Sequence, residues 1–250
     1  MNYQTPLPRK SRHARIVNEL GTQIVSGHFR PEQRLPPEAQ LCEEYDVSRP
    51  VLREATRVLV AKGLVRSKPK VGTVVRPRQE WHLFDPDVLH WLLQSDSRNG
   101  FYETLIKVRN IIEPEVAAMA AANALPEDVA AIEEACTRME QAECFANMTE
   151  PDMAFHLSVA NATHNELLIH LYSIMLLPVR DYLERSSALF EGEGLTLLIS
   201  RHRAILTAIQ HRDPLSARHA AIAQLAGVED LVAETFRNEP LSVDNVSYDH

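Results

Sequence analysis

The chain has 250 residues, and 45% of them are hydrophobic, which is enough for one large domain or two ordinary ones, each with a buried core. Its net charge of −8 is unevenly distributed: residues 1–78 hold 15 Lys and Arg against 7 Asp and Glu, whereas residues 79–250 hold 11 against 27. The basic first third favours binding to a polyanion, and the charge of the acidic remainder excludes it from such contact.

The cysteines and the hydropathy both indicate a soluble cytoplasmic protein. Cys42, Cys136 and Cys144 lack the spacing of a zinc knuckle or a disulfide framework, so we expect reduced thiols. No apolar run approaches the roughly 18 residues of a membrane span. The first residues also lack the pattern of a signal peptide.

The basic third is predicted to begin with three helices. A loose arm over residues 1–10 precedes a first helix at 11–26. A second helix spans 38–45. After a tight turn, Ser48 is a suitable N-cap for a third helix, which extends to about residue 62.

The third helix is predicted to carry a cationic face. At about 100° per residue, Arg49, Arg53 and Arg57 share a stripe about 80° wide, and Leu52 and Leu59 lie on the opposite, apolar side. A cationic helix that follows a helix and a short turn suits the DNA major groove. The alternative, for a helix taken alone, is an ordinary solvated basic face.

A basic hairpin follows. Residues 64–67 and 73–76 are predicted as short strands, and Lys68, Lys70 and Gly72 lie in or beside the turn between them. Three helices and a basic hairpin are the elements of a winged helix-turn-helix. The hairpin is then a wing that lies along the phosphates or in the minor groove.

A link over residues 79–84 leads to a short helix that Asp85 is expected to cap. This helix has an apolar patch, for which two partners are open: the second domain or a second protomer. The acidic remainder is predicted as an antiparallel bundle of about six or seven helices, with Pro126, Pro151 and Pro214 in first turns. The predicted helices are 101–123, 126–146, 150–163, 165–190, 195–211 and 214–236, and the last dozen residues are predicted to be disordered.

Four of these helices direct polar residues into apolar faces. The residues are Arg109, Asp152 with His156, His202 and Gln224. Buried polar groups need partners, so we expect one shared cavity. A carboxylate and two imidazoles form a three-ligand site for a divalent metal ion with open positions, and an arginine can clamp the carboxylate of a small ligand.

Each residue of this cluster also has a plainer interpretation. Asp152 lies three residues after Thr149 and could complete a capping box. A histidine in an apolar face is often only a hydrogen-bonded core residue. Arg109 could pair with Glu113 one helical turn later.

The run RLPPEAQLCEEYDVSRPVLREATRVLVAKGLV, residues 34–65, resembles the GntR family of bacterial transcription regulators. The Leu-Pro-x-Glu entry, the Val-Ser-Arg turn, the Leu-Arg-Glu-Ala helix and the Gly-Leu-Val exit carry the resemblance. Many relatives have Arg directly after the glutamate that matches Glu38, whereas this chain has Ala39, so one DNA contact is missing. The resemblance to the FadR-type branch implies that Ser48, Arg49, Arg53 and Gly72 contact DNA. Together with the basic residues of the same domain, the predicted DNA-binding residues are Arg34, Ser48, Arg49, Arg53, Arg57, Lys70 and Gly72.

The second half resembles the FCD ligand-binding domain of the same branch, through Asp152-x3-His156, the Arg-His-Arg-Ala-Ile-Leu run around His202, and Asp213-Pro214. Metal-binding members use three histidines and one aspartate, often with zinc or nickel. The resemblance implies that Asp152, His156 and His202 bind the metal ion and that Gln224 replaces the last histidine, which weakens the site.

The segments EWHLFDPDVLHWLL (80–93) and VRNIIEP (108–114) resemble the D-galactonate operon repressor and related sugar-acid regulators. In that group, the arginine that matches Arg109 lies in the effector pocket. The predicted effector-binding residues are therefore Arg109, Glu113 and Gln224.

We therefore predict a mainly α protein with two domains. Residues 1–78 form a winged helix-turn-helix DNA-binding domain, and residues 79–240 form an antiparallel all-helical, FCD-like bundle for effector binding and dimerisation. The predicted function is a homodimeric regulator, a repressor, that binds a palindromic operator under the control of a small carboxylate effector and a divalent metal ion. The alternative is a metal-dependent enzyme with a two-histidine, one-carboxylate site.

Overall fold

The computed structural model describes residues 12–68, 71–186 and 193–238. The chain divides into two compact units, one up to Arg98 and one from Asn99 onward. Lys70, the predicted arm and the predicted disordered end lie outside the described residues. None of the described helices is both long and apolar enough to cross a membrane.

The first unit is a winged helix-turn-helix, as predicted. Antiparallel strands β1 and β2 pair Val65 with Val75 and Lys68 with Gly72, so each is shifted by one residue from its predicted position. Asp46 turns the chain between the second and third helices with a left-handed φ of 50°. The elements are α1 Arg12–Val25, α2 Glu38–Glu44, α3 Arg49–Ala61, β1 Val65–Lys68, β2 Gly72–Val75, a 3-10 turn at Arg78–Glu80, and α4 Pro86–Leu93.

The core of this unit forms where α1 packs against α3. Ile16 and Leu20 of α1 and Leu52 and Leu59 of α3 are almost completely buried. Burial of such side chains stabilises the fold by about 1.5–3 kcal/mol each. The apolar side of α3 is therefore turned inward, and the opposite, cationic side is left in solvent.

Helix α4 belongs to the first unit and packs against α1. Its Trp91 is buried, and the indole Nε1 donates to Asn18 Oδ1 at 2.8 Å. Gly21 makes room for this ring, since a Cβ there would lie 2.4 Å from Trp91. The structure thus gives α4 a partner in α1 that the sequence did not predict. The predicted domain boundary at residue 78 lies before this helix, whereas the first compact unit extends to Arg98.

A buried lysine ties the end of α3 to the start of α4. Lys62 Nζ lies 2.7 Å from Asp85 Oδ1 and 2.7 Å from Asp87 Oδ2. Asp85 also caps α4, as predicted, by accepting from the backbone N–H of Asp87 and Val88. Burial alone would lower the pKa of Lys62, but the two carboxylates raise it above its ordinary value, so the ammonium group stays charged.

The second unit consists, in its described residues, of six helices. These are α5 Arg98–Asn123, α6 Pro126–Glu140, α7 Phe145–Asn161, α8 Glu166–Ser186, α9 Glu193–Gln210 and α10 Pro214–Asn238. Pro126 and Pro214 occupy first turns, as predicted. The placement of Pro151 in a first turn was wrong, because α7 begins at Phe145 and contains Pro151.

The boundary between α6 and α7 was mispredicted because no helix breaker marks it. The residues from Gln141 to Cys144 favour helix as much as their neighbours do. Met139 and Phe145 are nonetheless both buried, on either side of this break. Tertiary packing therefore decides where the chain turns, and propensity alone could not.

Two glycine substitutions test the packing of α4. Gly21→Ala should lower the free energy of unfolding, because the clash with Trp91 outweighs the gain of about 1 kcal/mol in helix propensity. Gly100→Ala is the matched control: nothing lies within 4 Å of its added Cβ, so it should be neutral or stabilising. Urea unfolding followed by circular dichroism measures both, and equal effects would contradict the packing.

Candidate functional site

The cationic stripe of α3 is exposed, with Arg49, Arg53 and Arg57 on the solvent side. Arg53 Nε donates to Glu38 Oε1 at 2.7 Å, and Arg57 Nη1 donates to Glu54 Oε2 at 3.1 Å. The predicted stripe is therefore present on the surface.

Ser48 takes the predicted N-cap position of α3 in an extended conformation. Its side chain, however, makes no capping hydrogen bond. Ser48 is exposed, so its hydroxyl lies at the edge of the cationic stripe beside Arg49.

The wing brings Arg34 and Gly72 together. Arg34 forms an isolated bridge with Val74 of β2, and a Cβ added to Gly72 would lie 3.8 Å from Arg34 Cδ. That distance is an ordinary contact, so it is the φ of +98° at Gly72 that favours glycine. Lys70, the remaining predicted residue of the wing, is outside the described residues.

The second unit brings Asp152 and His156 of α7 together with His202 of α9. His202 Nε2 lies 3.1 Å from Asp152 Oδ1 and 3.3 Å from His156 Nε2. The third separation, from His156 Nε2 to Asp152 Oδ1, is 3.9 Å. All three residues are buried, and their ligand atoms lie within 4.8 Å of one another.

The hydrogen bond of His202 to the backbone directs the electron pair of its Nε2 towards the triad. His202 Nδ1 lies 2.8 Å from the carbonyl oxygen of Leu198, which can only accept, so Nδ1 donates and Nε2 faces the triad. His156 Nδ1 faces outward too, 3.3 Å from the hydroxyl of Tyr172. Two imidazole nitrogens and a carboxylate oxygen thus converge, an arrangement that a shared proton or a metal ion stabilises.

The surroundings of the triad favour the protonation states of Asp152 and His156 that can bind a cation. Burial lowers the pKa of His156, against the opposing effect of Asp152 and Glu113, so this imidazole is neutral. Burial alone would raise the pKa of Asp152, but His156, His202 and Arg109 hold it below its ordinary value. A carboxylate and neutral imidazole are the forms that bind metal.

Arg109 and Glu113 form a buried pair on α5. The alternative in which Arg109 pairs with Glu113 is therefore confirmed. Glu113 Oε2 also lies 3.9 Å from His156 Nδ1, so the pair is continuous with the triad. Burial raises the pKa of Tyr172 well above its ordinary value, and Glu113 adds to the shift, so the hydroxyl remains protonated.

Gln224 of α10 is the predicted site residue whose side-chain oxygen lacks a hydrogen-bond partner among the described residues. Its side chain is 2% exposed, and within the described part of the chain its Oε1 has no hydrogen-bond partner. An unpaired buried acceptor costs about 1–3 kcal/mol. A buried polar group without a partner calls for a physical explanation, such as a bound ligand, ion or water.

The capping interpretation of Asp152 is wrong. Helix α7 begins seven residues earlier, at Phe145, so Asp152 lies within the helix and not in its first turn. Tyr172 is a residue of the cluster that the sequence did not single out. The available signal was a hydroxyl group in an apolar stripe of α8, which Met175, Leu176 and Val179 share.

The comparisons with known proteins agree with this geometry. The family of bacterial regulatory proteins described as the gntR family matches residues 12–75, and the FCD domain matches residues 104–227. The galactonate operon transcriptional repressor of Escherichia coli (strain K12) is 36% identical over 216 residues, which cover 85% of this chain and 93% of that protein. The transcriptional regulator LutR of Bacillus subtilis (strain 168) is 31% identical over 219 residues, which cover 85% and 97%.

A solved structure described as "Lar controls the expression of the Listeria monocytogenes agr system and mediates virulence" has the same fold. Its TM-score is 0.58 at 19% sequence identity, and the match covers 92% of this chain and 99% of that one. The two matched families and the 36% identical repressor identify a transcription regulator and not an enzyme. The chain belongs to the gntR family of bacterial regulatory proteins, with a DNA-binding domain followed by an FCD domain.

The unpaired oxygen of Gln224 gives a test that needs no ligand. Gln224→Met keeps the length of the side chain and removes the acceptor, so in EDTA-treated protein it should raise the free energy of unfolding by roughly 1 kcal/mol. Gln210→Met, at the exposed end of α9, should change nothing. If Gln224→Met alone destabilises the protein in thermal unfolding, the amide is hydrogen-bonded in the folded chain.

Proposed function

We propose that the chain is a repressor that binds an operator through α3 and the wing and is released by a sugar acid in the second unit. The observation that carries the proposal is the convergence of Asp152, His156 and His202 beside the buried pair of Arg109 and Glu113. Such a site offers positions for both a cation and a small anion. We expect the repressor to act as a homodimer on a palindromic operator.

For DNA, we assign the predicted residues to two kinds of contact. Arg49 and Arg53 read base edges in the major groove, because arginine pairs bidentately with guanine. Ser48, Arg57, Arg34 and the wing around Lys70 and Gly72 position the protein on phosphates or in the minor groove. In support, every described member of this set except Gly72 is an exposed polar or basic side chain of the first unit, and Gly72 forms the turn of the wing.

For the metal ion, we test the three residues against the ordinary dimensions of a site. Zinc–nitrogen bonds of about 2.0–2.1 Å place two tetrahedral ligand atoms roughly 3.3 Å apart. The 3.3 Å and 3.1 Å separations of His202 Nε2 from His156 and Asp152 fit this value, and the 3.9 Å separation is somewhat long. The residues fit a zinc- or nickel-type ion, which when bound supplies open positions for oxygen ligands.

For the effector, we propose a sugar acid. Arg109 offers its guanidinium to the effector's carboxylate, and Gln224 Oε1 accepts from a hydroxyl group, which meets its unsatisfied hydrogen-bonding capacity. Glu113 keeps Arg109 charged and oriented before the effector arrives. The name of the galactonate operon repressor, together with 36% identity, supports galactonate as the first compound to try.

The DNA assignment predicts a loss that depends on sequence. Arg49→Ala and Arg53→Ala should each cost about 1–3 kcal/mol in binding to the operator, with less effect on unrelated DNA. Gel shifts with operator and scrambled duplexes measure the difference. Arg138→Ala, which removes an exposed arginine of α6, is the control and should leave both affinities unchanged; equal behaviour of all three variants would refute the assignment.

The effector site predicts that metal and sugar acid bind together. Galactonate should raise the melting temperature of zinc- or nickel-loaded protein, by an amount that corresponds to about 2.7 kcal/mol at one hundred times its dissociation constant. EDTA treatment should weaken this effect. If metal-free protein binds galactonate equally well, the triad is only a hydrogen-bonded polar core, and if no sugar acid shifts the loaded protein the effector class is wrong.

Arg109→Lys separates the anion contact from the metal contact. The variant keeps the charge beside Glu113 but loses the planar fork, so galactonate should bind more weakly while zinc binding is unchanged. Arg218→Lys, in the exposed pair with Glu115 on the same unit, is the matched control. Calorimetric titration of each variant with zinc and then with galactonate measures both affinities.

A further inference from the structure

One arginine of the cationic stripe makes two hydrogen bonds to a carboxylate of another helix. Arg53 Nε donates to Glu38 Oε1 at 2.7 Å, and Arg53 Nη2 lies 3.3 Å from Glu38 Oε2. Glu38 is the first residue of α2, and Arg53 lies one turn into α3. The pair therefore joins the two helices of the helix-turn-helix on its solvent side.

The geometry leaves a defined part of the guanidinium free. A guanidinium carries five N–H donors in a rigid fork, and Glu38 engages the edge formed by Nε and Nη2. The remaining outer edge, formed by Nη1 and Nη2, has two nearly parallel donors. This edge matches O6 and N7 of guanine in the major groove.

The other two arginines of the stripe are not held in this way. Arg57 makes a single hydrogen bond at 3.1 Å to Glu54 of its own helix, and both side chains are more than half exposed. No described carboxylate lies within ion-pair distance of Arg49. Arg53 is thus the one member of the stripe that another helix holds in a fixed direction.

We propose that Glu38 is a specificity-determining residue for DNA, which aims the free edge of Arg53 at a guanine. The inference rests on the proposed reading of base edges by α3. An exposed ion pair is weak in water, but it strengthens when the operator displaces the water around it. Without Glu38, Arg53 can rotate towards a phosphate, a contact that carries no sequence information.

Glu38 is expected to affect DNA binding in two opposite ways: it raises the preference for the correct base, and it lowers the affinity for every sequence. The two effects can therefore be measured separately. Its orientation of Arg53 favours the correct base. Its negative charge disfavours every DNA sequence alike, because it opposes the phosphates. Removing the side chain should therefore weaken discrimination and at the same time strengthen binding to unrelated DNA.

The test begins with a pool of random duplexes from which the full-length wild-type chain selects its operator. Duplexes with a single changed base pair then give the preference at each position, and Arg53→Ala identifies the guanine that Arg53 reads. In Glu38→Ala, the preference for this guanine should fall about tenfold, while the affinity for an unrelated duplex rises. Glu38→Gln keeps an oxygen that can accept from Nε, so its preference should lie between these values.

Glu54→Ala is the matched control, because it removes an equal charge from the same surface without touching Arg53. It should raise the affinity for unrelated DNA and leave the preference for the guanine intact. The inference is overturned if Glu38→Ala keeps the full preference, or if it loses preference equally at all positions. If Arg53→Ala itself changes no base preference, the proposed reading by α3 fails together with the inference, which distinguishes the two failures.

Discussion

Burial of charge is the constraint on which the second unit depends. Arg109, Glu113 and Asp152 are each about 95% or more buried, and an isolated ion in such surroundings would be strongly destabilising. Arg109 and Glu113 neutralise each other, which leaves the carboxylate of Asp152 to be balanced by a proton or a metal ion at the two histidines. The fold therefore favours a positive charge beside the carboxylate of Asp152.

In the first unit, too, a buried charge is balanced by charges of opposite sign. Lys62 is 8% exposed and is balanced by Asp85 and Asp87, one of which also caps α4. Removing either partner leaves a largely buried charge without its counter-charge, so this pair links the end of α3 to the start of α4. The exposed arginines of α3 thus project from a helix whose inner face and whose end are both fixed.

Sequence patterns predicted the elements well where a local signal marks them. Helix α3 has an N-cap position and a proline in its first turn, and the wing has a glycine with positive φ, so both were found within one or two residues. The break between α6 and α7 has no such signal, and its misplacement led to the wrong interpretation of Asp152. Helix propensity cannot locate the break between α6 and α7, because the packing of Met139 and Phe145 decides it.

The candidate site was predictable in part for a related reason. A polar residue within an apolar stripe is visible from helical periodicity, so Arg109, Asp152, His156, His202 and Gln224 could all be named, and all are buried. Contacts between distant elements are not visible in this way. Tyr172 beside His156, Glu38 beside Arg53, and Lys62 between two aspartates depend on the tertiary fold.

Under the proposed function, the two residues at which the resemblance to relatives breaks down, Ala39 and Gln224, concern contacts with DNA and effector and not the scaffold. Ala39 is exposed next to Glu38 at the start of α2, and Gln224 is buried with an unpaired oxygen in the second unit. An amide oxygen is neutral and a weaker ligand than imidazole for zinc or nickel, but unlike an imidazole bound to metal it can accept a hydrogen bond from a hydroxyl group. Under the proposed function, glutamine in place of a histidine therefore weakens the binding of a metal ion and adds an acceptor for a polar ligand.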